Sequence, residues 1–307
     1  MFSNEYITIL ISSLLFASIF SSEAAPHLNM SGDVVCQRVV DTSGDNWTIA
    51  IWDSGKFCVG QNLSQDDPIF KLPHQPVPKS PLLLIRHSEV FADLNGHNLK
   101  TRVEHREGIR VFAMESSPLR AISIRNGFIS STSGPTIYMV DAFNDKNRNI
   151  RFGRNFPIAV FNGYAAIYRP TEFILENLTL QGDSQVIIMQ GMNNIIRHCK
   201  IIGGNGTVNV FGPNLIFEDN EIILHAKTES EASGEAPVAL YLEDAANSVI
   251  RNNHITIKGN TSSSQSIVLK NSPNVTLQGN TVSGNDTLYK LLDERSSVIA
   301  TDNHPNR

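Results

Sequence analysis

The feature that most constrains this chain is an internal repeat. Asn247-Ser-Val-Ile250-Arg-Asn-Asn253-His-Ile255 aligns with Asn274-Val-Thr-Leu277-Gln-Gly-Asn280-Thr-Val282 and with Asn214-Leu-Ile-Phe217-Glu-Asp-Asn220-Glu-Ile222. The shared frame is Asn, two residues, an apolar residue, two residues, Asn, one residue, an apolar residue. Weaker copies lie upstream at Ile196/Cys199/Ile201, Leu175/Leu178/Leu180, Ile124/Gly127/Ile129 and Leu94/His97/Leu99. Their first apolar positions are 30, 51, 21, 21, 33 and 27 residues apart. The spacing of 51 suggests one more degenerate coil near Ile137–Val140. A fixed frame with variable spacing describes a coil whose length changes only in its loops.

Within the frame apolar and polar residues alternate, so each segment reads as a half-buried strand. One such coil cannot bury its own apolar face, whereas stacked coils bury a continuous core. The position two after the first apolar residue holds Gly96, Asn126, Asn177, His198, Asp219, Asn252 and Gly279. Gly, Asn and Asp suit a tight bend that needs a positive φ. The next position holds Asn220, Asn253 and Asn280, and an inward stack of amides can hydrogen-bond along the axis. Cys199 shares that position and reads as a buried free thiol, and His97 as a core histidine.

This frame resembles that of the right-handed parallel β-helix repeat family, the pectin-lyase-like superfold. Asp93-Leu94-Asn95-Gly96-His97-Asn98-Leu99 and Ile122-Ser-Ile-Arg-Asn126-Gly127-Phe-Ile129 are similar to the first coils of secreted members, and Ser54 to Leu63 to the capping strands before them. The resemblance implies an all-β fold: one single-stranded right-handed parallel β-helix of about eight coils with an N-terminal cap. It leaves activity open, because the fold hosts lyases, hydrolases, epimerases and adhesins.

Residues 1–25 read as a signal peptide. The apolar run Ile7 to Phe20 spans 14 residues, short of the ~20 a bilayer needs, and small residues follow it to Ala25. No later stretch reads as a membrane span. In an oxidising compartment Cys36 and Cys58 are expected to pair. Residues 26–81 read as the cap and a connection, with five prolines between Asp67 and Pro81. Coils are expected over 82–285, with insertions at 141–160 and 225–237. Residues 286–307 read as a C-terminal cap with a short helix at Leu288–Glu294.

Two outward columns carry the charge. The first runs Arg125, Glu176, Arg197, Glu218, Arg251, Gln278; the second includes Lys200, Glu221 and His254. One reading is a charge ladder between coils about 4.8 Å apart. The other is a groove for a sugar polymer. In it Glu221, Arg251 and His254 are the catalytic candidates, and Arg197, Lys200, Glu218, Arg148 and Arg151 hold substrate. Arg148 and Arg151 sit in the basic, aromatic insertion at 141–160, which suits an anionic glycan.

Known catalytic signatures of the superfold are absent, including Gly-His-Gly and Arg-Ile-Lys. No cofactor and no metal ligand set is expected. A net charge of -5 argues against nucleic-acid binding. Eight Asn-x-Ser/Thr sequons, among them Asn177 and Asn274, leave glycosylation open. The expectation is a secreted or surface monomer that interacts with a polysaccharide or glycan surface. The alternative is a non-catalytic, adhesin-like β-helix.

Overall fold

The computed structural model describes residues 36–40, 48–65, 81–102, 106–112, 119–132, 134–140, 160–161, 164–165, 168–183, 185–204, 206–226, 236–259 and 263–306. The chain divides into two compact units, residues 1–34 and 35–307, and everything described lies in the second. The expected signal peptide, Arg148 and Arg151 fall outside the described residues.

Each coil has three limbs. A back strand is followed by a first limb, a sharp bend and a second limb. The back strands make one nine-stranded sheet, from Ile49–Ile51 through Val238–Glu243 to Tyr289–Leu291. The paired limbs make a second sheet of seventeen strands. Between coils every pairing is parallel and in register, for example Phe217 beside Ile250 and Ile222 beside Ile255. This is the expected parallel β-helix, with nine coils among the described residues.

Like side chains stack on like. Ile124, Leu175, Ile196, Phe217, Ile250 and Leu277 form one inward column, and Ile129, Leu180, Ile201, Ile222, Ile255 and Val282 another. All twelve are fully buried. Burying each aliphatic side chain contributes about 1.5–3 kcal/mol, so the continuous columns carry most of the favourable term.

The bend between limbs is fixed by backbone chemistry. Asn126, Asn177, His198, Asp219 and Asn252 all adopt φ between 53° and 59°, and Gly96 and Gly279 are also positive. The next residue turns inward. The Oδ1 of Asn253 accepts from the backbone N–H and the Nδ2 of Asn220, both at 3.0 Å, while Asn253 Nδ2 donates to Phe217 O at 2.9 Å. Asn280 repeats these bonds one coil on, and Asn303 continues the ladder. Cys199 closes it at the other end. Its backbone N–H donates to Asn220 Oδ1 at 2.9 Å, and its sulfur lies 3.2 Å from Arg197 O and 3.7 Å from Leu175 O. Burial pushes this thiol up to about 12, so it is a packing group and not a nucleophile.

The structure corrects several expectations. The spacing of 51 hides no extra coil: Ile122–Ser131 pairs directly with Ile174–Gly182, and Ile137–Met139 is simply the back strand between them. The 94/97/99 copy is in register only at Leu99, because Ala92, not Leu94, lies beside Ile124. That bend is longer, so Leu94 enters the core in place of His97. A Cβ on Gly127 would lie 2.5 Å from Leu94 Cβ, which is why this column is empty there. His97 is only half-buried.

Both expected caps also contain coil. Strands Gly55–Val59 and Leu63–Gln65 pair with Val90–Asp93 and Asn98–Thr101, since Phe57 and Leu63 continue the inward columns. Among the described residues, Arg38–Val40 is the one limb strand before them, tied to the stack by the expected Cys36–Cys58 disulfide. At the other end Tyr289–Leu291 is strand, not helix, because the edge of Gln265–Lys270 offers it hydrogen bonds.

Replacing Asn253 by Ala strands two buried donors on Asn220 and the carbonyl of Phe217. Each orphaned group costs about 1–3 kcal/mol. Chemical denaturation should show a loss of about 3 kcal/mol or more, against about 1 kcal/mol for Asn274→Ala at an exposed positive-φ corner.

Candidate functional site

The two charged columns are where the sequence places them, and they are consumed by pairing between coils. Arg125 Nε meets Asp93 at 3.0 Å, Arg197 meets Glu176 at 2.8 Å, and Arg251 Nε donates to Glu218 at 2.7 Å. Asp93 is a member that the sequence frame missed, because the misplaced Leu94 copy hid it. In the second column Lys200 pairs with Glu221 at 2.8 Å. His254 Nδ1 lies 2.6 Å from Thr281 Oγ1. The bend at Asp219 and Asn252 separates the columns, so Arg251 is in register with Glu218 and His254 with Glu221. Glu221 and His254 are thus neighbours in one column, while Arg251 lies in the other and is bound to Glu218.

The outer face of the back sheet is differently built. Its outermost column runs Trp52, Arg86, Phe112, Val140, Gln190, Phe211, Glu243 and Lys270, following the registers of their strands. The neighbouring column includes Arg110, Tyr138, Ile188, Asn209, Tyr241 and Val268. Five aromatic rings therefore stand on this side of the sheet; Tyr138, Phe211 and Tyr241 are buried in a second apolar cluster with Val140, Ile188 and Val268, and Trp52 is exposed. Length variation is concentrated here too. The second limb and the next back strand are separated by Gly203 to Val208 in one coil, Ala226 to Val238 in the next and Gly259 to Gln265 in the one after, whereas the bend from Asp219 to Asn220 keeps its length in its neighbours. Loops framing a rigid sheet are where recognition is built.

At the corner after Glu243 the polar groups converge. Glu243 receives the Tyr241 hydroxyl at 2.8 Å on one oxygen and Lys270 Nζ at 2.7 Å on the other. Asp244, also at positive φ, accepts from Asn271 Nδ2 and from the hydroxyl of Tyr168. Tyr168 comes from an earlier coil. Gly191 and Gly212 occupy the same corner in the coils between, so no side chain stands in the way. A Cβ on Gly191 would lie 2.1 Å from Thr171. Tyr168 is 53% exposed, a ring held at the rim by its hydroxyl.

Burial acts on the Asp244 carboxyl. Desolvation pushes Asp244 above the usual carboxylate range; nearby Glu243 adds to this, and Asn271, Lys270 and Tyr168 oppose it. Burial, then the charge and hydrogen bond of Asp244, raise Tyr168. Glu243 accepts from Tyr241 and Lys270, and burial makes Asp244 take up a proton more readily than an ordinary aspartate. The corner can therefore both accept and donate hydrogen bonds, beside an exposed ring. Among the described residues no group of three or more His, Cys, Asp or Glu side chains could hold a metal ion.

The sequence reading did not find Tyr168, Glu243, Asp244 or Lys270, because it followed the limbs and left the back strands unaligned. Glu243-Asp244 and Lys270-Asn271 do recur at one point of the frame, three and four residues before Asn247 and Asn274. That recurrence was the available signal.

The fold and these surfaces define a right-handed β-helix protein. The family described as a right handed beta helix region matches residues 137–305, more than half of the chain, and the chain belongs to that family. No curated protein and no solved structure matches the chain.

Two outcomes follow. Glu218 is 11% exposed and Lys200 and Glu221 are 44% and 40% exposed. Arg251→Met should cost about 1–2 kcal/mol and Lys200→Met under about 0.5 kcal/mol in denaturant unfolding. Because the folded state raises the Asp244 carboxyl, its contribution is lost as pH rises through that raised value. Asp244→Asn should match the parent below about pH 4 and gain thermal stability over it toward neutrality.

Proposed function

We propose that the chain is an extracytoplasmic β-helix protein that binds glycan on the outer face of its back sheet. The observation that carries this is the corner where Tyr168, Glu243, Asp244 and Lys270 meet. Sugars are held by stacking on a ring and by fixed hydrogen-bonding groups around it. The corner supplies both, on a rigid strand end. The Cys36–Cys58 disulfide fits an oxidising compartment. No helix among the described residues is long and apolar enough to cross a membrane. Removal of residues 1–25 as a signal peptide completes the reading.

The limb columns favour a second role for their own faces. Arginines and carboxylates paired from coil to coil suit a stabilising ladder, as in a structural or adhesin-like β-helix. Depolymerisation by Glu221, Arg251 and His254 would need those pairs to open.

The test is binding of the purified protein to a panel of neutral and acidic polysaccharides, with release of reducing ends read in parallel. Tyr168→Ala and Glu243→Gln should each weaken binding about tenfold or more, equivalent to about 1.4 kcal/mol. Glu221→Gln should bind as the parent does. Failure to bind any polymer, or a loss confined to Glu221→Gln, would overturn the proposal.

A further inference from the structure

At the other end of the same outer column, Arg86 stands between two rings. Its guanidinium carbon lies 4.7 Å from the centre of the Trp52 ring and 5.5 Å from that of Phe112. The three residues follow back strands Ile49–Ile51, Leu83–Ile85 and Ile109–Val111, and Arg86 N donates to Ile51 O as Phe112 N does to Ile85 O. The stacking is therefore set by coil register, one side chain per coil.

The pairing of Arg86 sets it apart. Arginines in the strands each meet a carboxylate, as Arg125 meets Asp93 and Arg197 meets Glu176. Among the described residues no carboxylate pairs with Arg86, and its Nε is buried without a hydrogen-bond partner. The nearby Asp53 is taken by Arg38 at 2.7 Å, and Glu107 by Arg110. Trp52 is 54% exposed, so the stack is open to solvent on one side. A guanidinium placed between two rings carries a planar fork of donors, which matches the two oxygens of an anionic group.

We infer that Trp52, Arg86 and Phe112 form a subsite for an anionic group, a carboxylate or a sulfate ester, carried on a sugar. The inference rests on the glycan reading above and adds the ligand's charge to it. The exposed Trp52 ring takes the apolar face of the sugar while Arg86 pairs with its acid. Arg86 and Glu243 share one column of one sheet, with Val140, Gln190 and Phe211 buried between them, so the anion subsite is separate from the Tyr168 corner.

The experiment measures binding of polygalacturonate, dextran sulfate and unsubstituted dextran by the parent, Arg86→Gln, Arg86→Lys and Trp52→Ala, each checked for unchanged strand content and thermal unfolding. Arg86→Gln should lose tenfold or more for an acidic polymer and keep its affinity for dextran. Arg86→Lys should recover only part of the loss, since a point charge lacks the planar fork. Trp52→Ala should weaken all binding at this end. A loss confined to one acidic polymer identifies carboxylate or sulfate as the partner. Undiminished binding of both acidic polymers by Arg86→Gln overturns the subsite and leaves the glycan reading standing. Absence of binding to all three by the parent overturns both.

Discussion

The ladder of Asn220, Asn253, Asn280 and Asn303 is the interaction on which the rest of the structure depends. A chain that turns sharply within one strand layer buries backbone groups at the turn, and buried unpaired groups are costly. From Cys199 onward the amide of each coil satisfies the turn of the coil before it, so the bend keeps one shape and these coils stack without drift. A constant bend fixes which residues point in. That fixes the apolar columns, and these in turn fix the outward columns. The charged ladder on the limbs and the aromatic face on the back sheet are both consequences of one register.

The same register explains why the two outer surfaces differ. On the limbs the repeat is tight, so each outward side chain has a fixed neighbour one coil away, and opposite charges there find each other. The back strands end in corners of variable length. At those ends side chains from separated coils can meet, as Tyr168 meets Asp244 across two glycine corners. Groups that are not forced into pairs by the repeat remain available to a ligand. Arg86, flanked by rings above and below, is the plainest case.

Much of this was legible in the sequence. The three strong copies of the frame gave the fold, the positive-φ bend, the amide ladder and the buried thiol, because each depends on residues a few positions apart. The first Asn of the frame had a meaning that spacing alone did not show: Asn214, Asn247 and Asn274 each occupy a second positive-φ corner, before the first limb. Legibility failed where the frame bent. The longer turn at Asp93–Asn98 shifted Leu94 by two places and concealed the Asp93–Arg125 pair. The spacing of the candidate set did not show that Arg251 is bound by Glu218 and Glu221 by Lys200, pairs set by the register between coils. The back-sheet corner was missed because its members come from coils far apart in sequence, and nothing local links Tyr168 to Asp244.

The central claim is that ligand meets the back sheet and not the limbs. Hydrogen exchange with and without saturating polygalacturonate, read segment by segment, tests it most directly. The account predicts slowed exchange at residues 49–52, 83–86 and 109–112 and around 241–244 and 268–271, with the limb segments 197–202, 218–223 and 251–256 unchanged. Protection confined to those limb segments would contradict it and return the site to the charged columns.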